Sequence, residues 1–127
     1  MTSGRGVVLD AGVFIALERR DRVVTHLVAR FADERTPLAT SAGVVAQVWR
    51  SGGHAQVPVA FLLRRTTVVD LTHSAAKVLG RMLGATKTRD PIDAHIVLLA
   101  RERGWPVITS DPEDLSAIDP GLTIQAI

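Results

Sequence analysis

A helix with no polar face has to be surrounded by protein, and one stretch of this chain predicts such a helix. Arg89-Asp90-Pro91-Ile92-Asp93-Ala94-His95-Ile96-Val97-Leu98-Leu99-Ala100 opens with carboxylates and then turns almost wholly apolar. Asp90 suits the N-cap, Pro91 the first helical position and Asp93 the third. From Ile96 to Ala100 no side is left for water, so the helix is expected to be buried. The acids at its mouth have two readings. They cap free backbone N–H groups and complement the helix dipole, or Asp93 faces a shared cavity and holds a divalent cation. On this stretch alone, capping is the commoner arrangement.

A buried helix needs neighbours on every side, and the composition says of what kind. The 127 residues suffice for one domain, 1–127, with a real core. Hydrophobic residues make up 46% but aromatics only 4%, so the core must come from Val, Leu, Ile and Ala, as in a parallel sheet under helices. A net charge of +2 permits nucleic-acid contact without arguing for it. The chain has no Cys, which excludes disulfides and thiolate metal sites and is compatible with the cytoplasm. The apolar run after Met1-Thr2-Ser3-Gly4-Arg5-Gly6 is broken by Asp10 and Gly12. It is too short for a signal peptide or a membrane span, and no membrane contact is expected.

The rest of the chain alternates. Gly6 to Leu9 reads as a buried strand ending at Asp10. A short helix follows from Val13 to Leu17, and a second from about Asp21 to Glu34, with Val24, Leu27, Val28 and Phe31 on one face. Thr36 to Ala39 is expected as a strand, with Thr40 or Ser41 capping a third helix to about Arg50. A fourth helix covers Ala55 to Arg65, and Thr67 to Leu71 is a strand. Thr72 or Ser74 caps a fifth helix to about Leu83, and Gly84 to Arg89 form a loop. After the Asp90 helix, which stops at Gly104, come a strand at Pro106 to Thr109, a helix opened by Asp111 and Pro112, and a strand at Leu122 to Ile124. Strands alternating with helices predict βαβ units and a mostly parallel five-stranded sheet between helical layers.

In such sheets, sites form beyond the carboxyl ends of the strands, where crossovers diverge. Asp10 ends the first strand, Asp111 lies just past the fourth, and Asp93 starts the helix leading into the fourth. With the first and fourth strands as neighbours, these three acids gather at one end of the sheet. Clustered carboxylates repel unless a cation or shared protons compensate, and Mg²⁺ or Mn²⁺ is the natural cation for oxygen ligands. Each acid also has a capping alternative. For Asp111 it weighs about as much as function, and Asp114 reads as a third-position cap acid. The four histidines show no ligand spacing and are taken as surface or packing residues. Trp49 and Trp105 are expected as core plugs. Arg19, Arg20, Arg50, Arg64, Arg65 and Arg89 read as solvated faces, of which a few could grip phosphates.

Three segments carry a resemblance. Val8-Leu9-Asp10-Ala11-Gly12-Val13-Phe14-Ile15-Ala16-Leu17 resembles the opening of PIN domains. Asp93 to Ala100 resembles their third-acid helix, and Val107 to Leu115, through Thr109-Ser110-Asp111-Pro112-Glu113-Asp114, their closing strand and acid loop. The segments occur in the family's order. The resemblance implies a three-layer metal-dependent endoribonuclease fold, most often met as VapC-type toxins that cleave RNA, form homodimers and are neutralised by an antitoxin. It implies Asp10 and Asp93 as the principal metal ligands and Asp111 as the fourth acid; Asp90 and Asp114 are auxiliary candidates from their position alone, with capping the simpler reading of each. The family's second acid is usually a Glu, and here Gln47 holds that place within Ser41 to Arg50. Gln keeps the shape and one oxygen of Glu but no charge, so weaker metal binding is expected. That leaves a second expectation, a catalytically weak PIN domain that binds RNA or protein.

Overall fold

The computed structural model describes residues 5–127; the Met1 to Gly4 lead-in lies outside them. The apolar run Val7–Leu9 forms β1, and Asp10 ends it by capping α1, Ala11–Glu18. The second helix, α2 (Arg22–Asp33), is capped by Asp21, whose carboxylate accepts the Val24 N–H at 2.9 Å. Its inward stripe is the expected one, with Val24 and Phe31 buried and Leu27 and Val28 packed against the core.

The second strand, β2, runs Leu38–Ser41, further along than the sequence suggested. Pro37 has no N–H for a sheet ladder, so it contributes only its carbonyl, which accepts the Val7 N–H. Thr40 and Ser41, expected outside the strand, are its buried end, and Ser41 also caps α3 (Ala42–Val48). A 3₁₀ turn at His54–Gln56 leads into α4 (Val57–Arg64), then β3 (Thr67–Val69). The fifth helix, α5 (His73–Thr86), passes through Gly84 instead of stopping before it. It ends at Lys87, which takes the left-handed conformation with φ 57°. The all-apolar stretch is α6, Pro91–Arg103, stopped by Gly104 at φ 68°. The chain closes with β4 (Val107–Thr109), α7 (Pro112–Ile118) and β5 (Ile124–Ala126). The last strand starts two residues late because Leu122 N–H is taken by Asp119 in a turn.

The five strands are all parallel, in the order β3-β2-β1-β4-β5. Helix α6 lies against β1, β2 and β4 and is joined by α5 and α7, while α1 packs with α2, α3 and α4. The result is a three-layer α/β domain with α6 as the filling of one layer. Ala94, Ile96, Val97, Leu99 and Ala100 are buried, as the apolar run demanded. Each large aliphatic group so buried stabilises the fold by about 1.5–3 kcal/mol. Phe14 is the largest fully buried side chain, and Val, Leu and Ile supply most of the rest. Trp49 is not a core plug. Val48 takes the inward position at the end of α3, which leaves Trp49 40% exposed. Trp105 is half-buried against the core.

The chain runs outward from β1 to β3 and then returns to β4, beside β1. That reversal opens a crevice beyond the carboxyl ends of β1 and β4.

Candidate metal centre

Asp10 is the deepest acid at this crevice, only 5% exposed. One carboxylate oxygen, Oδ1, accepts the N–H of Ala11 at 2.8 Å. The other, Oδ2, accepts the hydroxyl of Thr109 at 2.7 Å. Thr109 is wholly buried at the end of β4, and its Oγ1 in turn accepts the N–H of Asp111 at 2.9 Å. One hydroxyl thus joins the acid after β1 to the backbone of the acid after β4. Burial pushes the Asp10 carboxyl up. The Thr109 and Ala11 hydrogen bonds oppose this, while Asp111 and Asp90 add to it.

Asp93 is half-buried in the first turn of α6. Burial pushes its carboxyl up to about 7, and repulsion from Asp90, Asp10, Asp114 and Asp111 contributes further. The capping of α6 falls to Asp90, whose Oδ1 accepts the N–H groups of Ile92 and Asp93 at 2.9 and 3.1 Å. Asp93 is therefore free of the capping role. Asp111 precedes α7 but makes no side-chain cap bond, so its carboxylate too is uncommitted. Asp114 lies in the first turn of α7 and is exposed. Five acids thus surround one crevice. The ion pairs formed within 4 Å among the described residues are Arg30–Glu34 and Arg101–Asp119, so no cation among those residues is paired with any of the five.

The cluster suits a hard divalent cation in its donors, which are all carboxylate oxygens. Among the described residues, however, no three acid or histidine side chains converge closely enough to hold an ion as they stand. The acids are near enough to repel and too far apart to chelate.

Gln47 sits on α3 between the buried Val44 and Val48 but is itself exposed, so it lies off the inward stripe. His95, taken from the sequence as a surface or packing residue, is 1% exposed and holds a definite bond. Its Nδ1 lies 2.7 Å from Ser41 Oγ, which also accepts the Gly43 N–H. This pair ties α6 to the start of α3, and burial lowers the imidazole's affinity for a proton. His26, His54 and His73 are exposed. The roles of Thr109 and His95 were not read from the sequence. The Thr-x-Asp spacing at a strand end could have signalled the first; nothing local signals the second.

A parallel α/β domain with an acidic cleft at its topological switch point is the class that this fold and site define. The PIN domain family model matches residues 7–119, and the chain belongs to that family. PIN domains are in general nucleases and generally metal-dependent. Among solved structures, PAE2754 from Pyrobaculum aerophilum is similar to it, with a TM-score of 0.67 and 17% identity over 95% of this chain and 84% of that one. At that identity the likeness concerns the fold. No curated protein sequence matches the chain. No helix among the described residues is long and apolar enough to cross a membrane.

Proposed function

We propose that this protein is a divalent-metal-dependent endoribonuclease that hydrolyses RNA phosphodiester bonds. The observation that carries this reading is the concentration of Asp10, Asp90, Asp93, Asp111 and Asp114 at one crevice, where burial first and the neighbouring carboxylates second push Asp93 up to about 7. Asp10 and Asp93 would hold Mg²⁺ or Mn²⁺, with Asp90 and Asp114 as auxiliary oxygens. Bound there, the cation supplies phosphate polarisation and a water of lowered pKa. Thr109 fixes the angle of the Asp10 carboxylate and the backbone of Asp111. Asp111 orients the attacking water or holds a second cation, and Gln47 orients a ligand or a bound water. Incubating the protein with a mixed single-stranded RNA pool and Mn²⁺ tests the reading; fragments that disappear with chelator support it, and intact RNA opposes it.

The partners we propose are an antitoxin and a second copy of this chain, with the protein acting as the toxin of the pair in the cytoplasm. Exposed Phe61 and Val57 on α4 support this. Phe61 lines an apolar groove of about 310 Å³ between α2 and α4, together with Val28, Ala32 and Leu62. The second reading is a catalytically weak PIN domain that binds RNA or protein, and it is favoured by the uncharged, exposed Gln47.

A further inference from the structure

Beside the acid crevice lies a second concavity of about 500 Å³, within the range of small-ligand pockets. Its shared wall is made by Gly12, two residues after Asp10, and Ser110, which precedes Asp111. The two residues touch so closely that a Cβ on Gly12 would overlap the Ser110 side chain. Glycine at position 12 is what lets the ends of β1 and β4 meet there. Apolar walls come from Ile15 on α1 and Val23 on α2, which are 37% and 70% exposed. Two charged side chains complete the lining: Arg19, which ends α1, and Asp21, which begins α2. No ion pair joins them within 4 Å among the described residues.

We propose that this concavity is a subsite for an unpaired guanine flanking the scissile phosphate; the proposal rests on the ribonuclease reading of the adjoining cleft. Single-stranded RNA offers splayed bases whose Watson–Crick and Hoogsteen edges can be read by side chains. Apolar walls suit the faces of a base. Arg19 brings a fork of donors and Asp21 a carboxylate that only accepts. Guanine is the base that presents two adjacent acceptors, O6 and N7, beside two adjacent donors, N1–H and the 2-amino group. An arginine suits the first pair, and a carboxylate suits the second. Adenine and uracil lack the paired donors. The position of the subsite, one wall away from Asp10 and Asp111, places the bound nucleotide next to the reacting phosphate.

The test is binding of labelled RNA trinucleotides with G, A, C or U at the centre, measured without added metal, so that it does not depend on cleavage. The proposal expects the guanine trinucleotide to bind about tenfold more tightly than the others, as one good bidentate contact supplies. Arg19→Ala should erase that preference. Asp21→Asn should erase it too while keeping the helix cap, because Asn caps as well as Asp. Equal binding of the four, or a guanine preference that survives both variants, overturns the subsite. Cleavage sites in an RNA pool are mapped in parallel. Cleavage with no base preference beside selective binding to none of the four means that the nuclease reading stands and the subsite falls. Selective guanine binding without any cleavage means the reverse.

Discussion

Thr109 donates its hydroxyl hydrogen to the Asp10 carboxylate at 2.7 Å, across 99 residues of sequence. The same oxygen accepts the Asp111 N–H. The bond exists because β1 and β4 are parallel neighbours whose carboxyl ends coincide, with Leu9 opposite Ile108. It makes the geometry of two acids depend on one buried hydroxyl.

Thr109→Val keeps the shape and removes the hydroxyl. It should destabilise the protein by about 1–3 kcal/mol, the cost of leaving a buried partner unsatisfied. It should also raise the Asp10 carboxyl further, because the Thr109 bond is one of the two that hold it down. Thermal melting measures the first effect, and carbonyl-region NMR titration of Asp10 the second. Thr109→Ser should restore both. A Val variant as stable as the parent would mean that the hydroxyl does not organise the crevice.

The metal-free protein should lose stability as pH rises from about 4 to about 7. Asp93 is pushed up to about 7 in the fold, against an unfolded value near 3.9. Between those values the native state binds more protons than the unfolded chain, so the slope of stability with pH is negative. The contribution is fully present below pH ~4 and lost through pH ~7. Asp93→Asn should flatten this part of the profile and stabilise the metal-free protein at pH 8. Melting temperature against pH for both proteins decides it; parallel profiles would contradict the assignment.

Mn²⁺ or Mg²⁺ should raise the melting temperature at pH 8, where the acids are ionised. Mass action gives ~2.7 kcal/mol when the ion is present at a hundred times its Kd. The gain should vanish in Asp10→Asn and in Asp93→Asn. A melting curve unchanged by millimolar Mn²⁺ in the parent would count against a metal centre.

Gln47→Glu adds a carboxylate at the family's second acidic position. With metal it should tighten Mn²⁺ binding and raise activity where the ion is limiting. Without metal it should lower stability through repulsion, provided the side chain swings toward the crevice from its exposed position on α3. Calorimetric titration of both proteins with Mn²⁺ reads the difference. Equal affinities would place residue 47 outside the site.

The parts of the fold legible in the sequence are those where one local rule dominates. The apolar run after Asp93 required a buried α6, and Asp21 and Asp90 announced the helices they cap. Strand ends were less legible, since they depend on partners. Pro37 shifted β2 toward Ser41, and the Asp119 turn delayed β5. Helix α5 runs through Gly84 because a single glycine costs a helix only about 1 kcal/mol relative to Ala. The acids of the crevice could be named early, because strand ends and the switch point follow from topology. What holds them could not. The Thr109 bond needs β4 beside β1, and the Ser41–His95 bond spans 54 residues and needs α6 laid across β2.

Asp93 and its neighbouring acids are proposed to hold the cation on which RNA hydrolysis depends. The most direct measurement is the rate of cleavage of a single-stranded RNA pool at pH 8 with Mn²⁺, comparing the parent with folded Asp93→Asn. The parent should cut, chelator should stop it, and Asp93→Asn should lose at least about a hundredfold in rate, since losing a direct ligand should cost no less than the roughly 10–100-fold lost with the groups that merely orient ligands. Equal cleavage by parent and variant, or cleavage that survives chelator, would contradict the claim.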